Sequence, residues 1–180
     1  MWQIGVWEQD EGLAERISRL AEGCPALVRA CRHPALLAGV ALDLLVVTPG
    51  ASGWAGAGAL SCRTALLPGG RAALTRALPA DTLISYGASG RNTLTLSSLD
   101  ELRASVAVQR EFVSLDGKAV DRQELILPRD DRSPDLLLAE AGAALLLGRL
   151  PAETSAQKSG LSGPLFCARF LEKTLHLPPE

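Results

Sequence analysis

The chain has 180 residues, 47% hydrophobic and 21% charged, which suits one domain with a sizeable core and excludes a wholly disordered chain. A formal net charge of -2, with the arginines scattered mostly as single residues beside apolar ones, points away from nucleic acid and acidic membranes as partners. The opening Met1-Trp2-Gln3-Ile4-Gly5 is no signal sequence, and the most apolar stretch, 136–147, contains Glu140 and falls short of the about 20 residues a membrane span needs, so a soluble, cytoplasmic protein is expected.

Trp2, Ile4 and Val6 alternate with Gln3, Gly5 and Trp7, predicting a short strand that ends at Glu8-Gln9-Asp10-Glu11. Leu13, Ile17 and Leu20 recur at helical spacing up to Gly23, a plausible stop. Residues 26–30 read as a second strand, and 34–40 as either a helix or its continuation. Leu44-Leu45-Val46-Val47 is a continuous apolar run closed by Thr48-Pro49-Gly50, the pattern of a parallel strand buried on both faces. A strand over 62–67, a helix over 72–78 and a strand over 82–86 follow. This order predicts an α/β fold: a three-layer, Rossmann-like, mostly parallel sheet with helices on both faces.

After residue 92 the pattern changes. Thr93-Leu94-Thr95-Leu96 alternates like a half-exposed strand, and 105–115 and 118–127 flank Asp116-Gly117, a pair that favours a two-residue type I′ turn. That turn would set Val113 opposite Val120, Glu111 opposite Arg122 and Val108 opposite Leu125, so a small antiparallel β-meander is expected over about 92–127. Ser133-Pro134-Asp135 reads as an N-cap and first helical turn, and the helix runs to about Leu147, before Gly148. One domain over 1–150 is expected, with a loop at 151–163 and a short amphipathic helix near 165–175 packing on it.

Ligands of open α/β sheets bind beyond the carboxyl ends of the strands. Four loops gather there: 8–12, 48–58, 68–71 and 86–92. Two are rich in glycine and could turn backbone N–H groups toward an anion, so Thr48, Gly50, Ser52, Gly53, Gly87, Ser89, Gly90 and Arg91 are the candidate binding residues, with Arg91 supplying charge. The same glycines also suit turns of positive φ. No Walker lysine motif occurs, and Gly56-Ala57-Gly58-Ala59-Leu60-Ser61 imitates a dinucleotide fingerprint in the wrong place. Glu8, Asp10 and Glu11 form either an acid/base or magnesium cluster or a set of solvated carboxylates at a helix start. Cys31-Arg32-His33 invites a nucleophile-and-base reading with nothing to orient the base, and Ser61, Ser85 and Ser89 lie in no GxSxG elbow. Cys24, Cys31, Cys62 and Cys167 are far apart, so reduced thiols acting as small core hydrophobes are expected, with no metal site. His176 lies in a proline-bounded tail.

From Thr82 onward the order of elements resembles the end of the central, ATP-binding domain of the Mur ligases, bacterial enzymes that join amino acids to peptidoglycan precursors. Thr82-Leu83-Ile84-Ser85-Tyr86-Gly87 is similar to their last parallel strand, which often closes in Tyr-Gly, and the alanine-rich helix from Asp135 to its Leu-Gly end at Gly148 is similar to theirs. The chain departs from the family where the catalysis sits. Glu8-Gln9-Asp10-Glu11-Gly12 stands where the family has a glycine-lysine-threonine phosphate loop, and acidic side chains there would repel ATP. The family's His-Asn pair falls near Arg132-Ser133 and its next asparagine near Leu136. The resemblance therefore implies a shrunken relative without ATP-dependent ligation, and no catalytic residue carries over. Three functions follow: a non-catalytic ligand- or partner-binding module, with Trp54 and the helix around Leu165, Phe166 and Phe170 as apolar surface; a small enzyme or sensor binding an anionic metabolite or nucleotide where Gly53, Gly87, Gly90 and Arg91 converge; and a subunit completed by another chain. No cofactor is implied, and a homo-oligomer is compatible with each.

Overall fold

Ile4 and Val6 face one side of the first strand while Gly5 and Trp7 face the other, and all but the glycine belong to apolar clusters on opposite faces of one sheet. A computed structural model describes residues 1–53 and 60–149. Trp54, Gly56, Gly58, Cys167, His176 and the tail elements expected at 151–163 and 165–175 lie outside the described residues.

The elements are β1 (Trp2–Trp7), α1 (Leu13–Leu20), β2 (Ala26–Cys31), a 3-10 turn (Pro34–Leu37), β3 (Ala41–Val47), β4 (Ser61–Pro68), α2 (Ala72–Ala77) and β5 (Ala80–Tyr86), followed by β6 (Leu94–Leu99), β7 (Arg103–Val108), β8 (Phe112–Val113), β9 (Ala119–Val120), β10 (Glu124–Pro128) and α3 (Pro134–Leu146). Eight strands form one mixed sheet in the order β10-β7-β6-β5-β4-β3-β1-β2, parallel from β2 to β6, and β8 and β9 form a separate antiparallel pair. The fold is α/β with helices on both faces. α1 and α3 pack with Ile4, Val6, Leu44, Val46, Leu66 and Ile84 on one face. Leu37 of the 3-10 turn and Leu74 of α2 pack with Trp7, Leu45, Val47, Ala65 and Leu67 on the other. β1, β3 and β4 are thus covered on both sides, which is why their sequences read as near-continuous apolar runs. Of residues 34–40, open between two readings, Pro34–Leu37 form the 3-10 turn and 38–40 lead on to β3 outside any helix or strand.

α3 follows the expected pattern at both ends. Ser133 Oγ accepts from the Leu136 N–H at 3.4 Å, Pro134 takes the first helical position, and the helix stops before Gly148, at φ 66°. Its apolar residues run all the way round because it is buried all the way round, between the sheet, α1 and the β8–β9 hairpin, whose Phe112, Leu115 and Val120 join the same cluster.

The meander keeps its place but changes its register. Leu125 pairs with Val106, not Val108, and Val120 pairs with Phe112, not Val113. Glu111 and Arg122, expected opposite one another, lie in no strand. The turn is the reason. A type I′ turn needs positive φ at both central residues. Gly117 has φ 86°, whereas Asp116 stays at negative φ, so the loop widens to Leu115-Asp116-Gly117, closed by the Ser114 N–H on the Lys118 carbonyl at 2.9 Å. Lys118 and Ser114 hydrogen-bond the Asp116 carboxylate and hold it down to about 2.

β6 also reaches the sheet in an unusual way. Only seven residues separate it from β5, too few for a full parallel crossover, and the two strands share a single rung, Tyr86 against Leu94. β6 then continues past the end of β5, with β7 returning antiparallel beside it and β10 antiparallel beside β7.

The tightest test of this packing is Gly142 of α3, where a Cβ would lie 2.7 Å from Leu94 Cδ1 and 2.9 Å from Leu66 Cδ2. Gly142→Val is expected to lower stability by about 2–3 kcal/mol through overpacking, read as a lower urea midpoint at an unchanged m value.

Candidate functional site

The chain leaves β1 for β2 on one side and returns to β3 on the other, so the topological switch point lies between β1 and β3, where doubly wound sheets bind their ligands. Here the protein's own carboxylates fill the crevice. Glu8 is buried, and its Oε2 accepts from the Leu13 N–H at 2.7 Å and its Oε1 from the Ala14 N–H at 3.3 Å. It caps α1 in place of Gly12, which stands at the N-cap without a side chain to do so. Glu11 Oε1 accepts from the Gly50 N–H at 3.1 Å, and its other oxygen accepts from the Gln9 N–H. The carboxylate lies so close to Gly50 that any Cβ there would collide with it. Asp10 pairs with Arg32. The three acids go to three different partners, and no group of three or more His, Cys, Asp or Glu side chains placed to hold a metal occurs among the described residues.

The eight candidate binding residues fall into two sets. Thr48 hydrogen-bonds the Trp7 carbonyl through its N–H at 3.0 Å and its hydroxyl at 3.2 Å. The Ser52 carbonyl accepts from Trp7 Nε1 at 3.1 Å, Gly53 faces His33, and Gly50 holds Glu11. Arg71 clamps the same loop by donating to the carbonyls of Pro49 and Ala51. In the second set, the Gly87 N–H donates to Leu94 at 3.1 Å, Ser89 Oγ accepts from the Arg91 N–H at 3.3 Å, and Ser89, Gly90 and Arg91 are exposed. Among the described residues no hydrogen bond joins the two sets.

Between them, at the ends of β4 and β5, lies a groove of about 450 Å³. Leu67 and Leu83 form its apolar wall; Ser85, Thr75, Asn92, Arg71 and Arg76 supply polar groups. Asn92 is 6% exposed, yet no hydrogen bond to its amide occurs among the described residues. The amide lies against Gly69, where a Cβ would collide with Oδ1, and 3.0 Å from where a Cβ of Gly87 would stand. Ser85 Oγ accepts from the Thr93 N–H at 3.2 Å, which leaves its own proton to donate. Sequence reasoning placed the loops 68–71 and 86–92 at this edge but missed Asn92 and weighed Ser85 only as a nucleophile. Pro68-Gly69-Gly70 signals a close approach, but nothing in it says that the approaching group is an asparagine.

Nucleophilic chemistry finds no support in the buried thiols Cys31 and Cys62. Burial pushes Cys31 and Cys62 up to about 11, so both remain protonated at neutral pH. Cys31 packs in the core, while His33 Nδ1 accepts from the Ala35 N–H at 3.2 Å to cap the 3-10 turn. Tyr86 is buried, donates to the Val47 carbonyl at 2.7 Å, and has its phenol pushed up by burial.

No model of a protein family matches the chain, and no curated protein is significantly similar to it.

The capping role of Glu8 gives a direct prediction. Glu8→Ala leaves two buried N–H groups without an acceptor and is expected to cost about 2 kcal/mol in urea unfolding, with early loss of amide-exchange protection in α1.

Proposed function

We propose that the chain is a non-catalytic binding module of Mur-ligase-like descent whose ligand docks in the groove between β4 and β5. The carrying observation is Asn92, whose amide makes no hydrogen bond among the described residues and opens onto a groove of about 450 Å³. An amide open to the groove and not engaged by the protein keeps both its donor and its acceptor for a ligand. The volume lies within the range of about 300–1,000 Å³ usual for small-molecule sites. Two further features support binding without catalysis. Carboxylates fill the switch-point crevice, where a phosphate would otherwise meet backbone N–H groups, and the buried thiols of Cys31 and Cys62 are protonated. The descent rests on the order of elements after Thr82: a strand closing in Tyr86-Gly87, a meander and the alanine-rich α3.

A thermal-shift screen of small metabolites tests the proposal. A ligand at about 100 times its dissociation constant is expected to stabilise the protein by about 2.7 kcal/mol, several degrees in midpoint. Asn92→Leu, which replaces the amide by an apolar side chain of similar shape, is expected to abolish that shift while leaving the unliganded protein folded. A hit that shifts the Asn92→Leu variant equally binds elsewhere and refutes the site.

A further inference from the structure

We infer that the groove takes a small organic carboxylate carried on an apolar body. The inference rests on the binding reading above and adds the chemical class. The groove lining contains two arginines and no acidic residue. Arg71 is turned to the carbonyls of Pro49 and Ala51, but Arg76 is exposed, and among the described residues no hydrogen bond or ion pair engages it. The remaining polar side chains are Thr75, whose hydroxyl already donates to the Arg71 carbonyl at 3.2 Å, and Asn92 and Ser85, whose Nδ2 and hydroxyl have protons to give. Donors of this kind, sharing a lining with a guanidinium and with no carboxylate in it, favour an acceptor that carries negative charge.

The apolar wall sets the rest of the ligand. Leu83 lies within β5, yet it is 40% exposed at the groove. Covering it removes apolar surface from water, which inorganic anions cannot do. A phosphate would also want the convergent backbone N–H groups of a glycine-rich loop, whereas the donors here are side chains with one unengaged cation among them. A carboxylate set on a ring or short apolar chain satisfies both halves of the groove.

The test is titration of the full-length ¹⁵N-labelled protein with sodium benzoate, benzamide and inorganic phosphate, followed by NMR through the Asn92 side-chain NH₂ and the Arg76 Nε–H. Benzoate is expected to shift both signals saturably, and the other two to bind at least tenfold more weakly. Arg76→Gln, a change at an exposed position, is expected to weaken benzoate about three- to fivefold, the scale of a partly exposed ion pair, and to leave benzamide unchanged. Equal binding of benzoate and benzamide, insensitive to Arg76→Gln, would overturn the carboxylate class and leave the groove standing as a site. Phosphate binding as tightly as benzoate would overturn the apolar body. If none of the three moves the Asn92 or Arg76 signals, both this inference and the binding site beneath it fall.

Discussion

Parallel strands that end together leave backbone N–H groups at one edge of the sheet, and the first N–H groups of each crossover helix point the same way. Many α/β proteins leave those donors for a bound anion. Here they bond to the chain's own acids. Glu8 holds the start of α1, and Glu11 ties Gln9 to Gly50 across the gap between β1 and β3. The loop at 48–53 then has its place: Glu11 engages it from one side, Trp7 from below and Arg71 from the β4 side. The geometry of the C-terminal edge follows from satisfying these donors internally.

That solution has a consequence for binding. A carboxylate already seated among backbone N–H groups repels a second anion and leaves it no donors. The switch-point crevice is therefore a poor place for a phosphate, although the strand order marks it as the usual one. Two strands further along, at the ends of β4 and β5, the balance reverses: the donors of Ser85, Asn92 and Arg76 stand without a nearby acid in the groove lining.

Much of the fold was legible because it rests on patterns that burial imposes directly. The run Leu44-Leu45-Val46-Val47 announces a strand covered on both faces, and Ser133-Pro134 announces the start of α3. The hairpin register was not legible, because it turns on the backbone of one residue. Asp116 stays at negative φ, and that choice moves Val120 from Val113 to Phe112. The site was harder still. Its glycine-rich loops are visible as composition, but whether their N–H groups face a ligand depends on which side chain reaches them first. Glu11 lies 39 residues from Gly50, and no local pattern links the two. Asn92 presents the opposite case: a polar residue beside a strand ordinarily finds a partner, and its lack of one appears only when all its neighbours are in place.

The groove itself has a structural cause in the length of α2. Six helical residues at about 1.5 Å each span about 9 Å, whereas the seven residues of β5 at about 3.3 Å each extend about 23 Å. A helix this short covers Ala65 and Leu67 of β4 but cannot reach along β5, so Leu83 and Ser85 stay partly open on that face. On the opposite face α3 is 13 residues long, and Ile84 and Tyr86 of the same strand are buried. One strand is thus sealed on the side of the long helix and open on the side of the short one, and the opening lies beside Asn92. Lengthening α2 would close the groove and bury Leu83. The short crossover therefore gives up apolar burial on β5, and the concavity it leaves is where a ligand's apolar body can make up that loss.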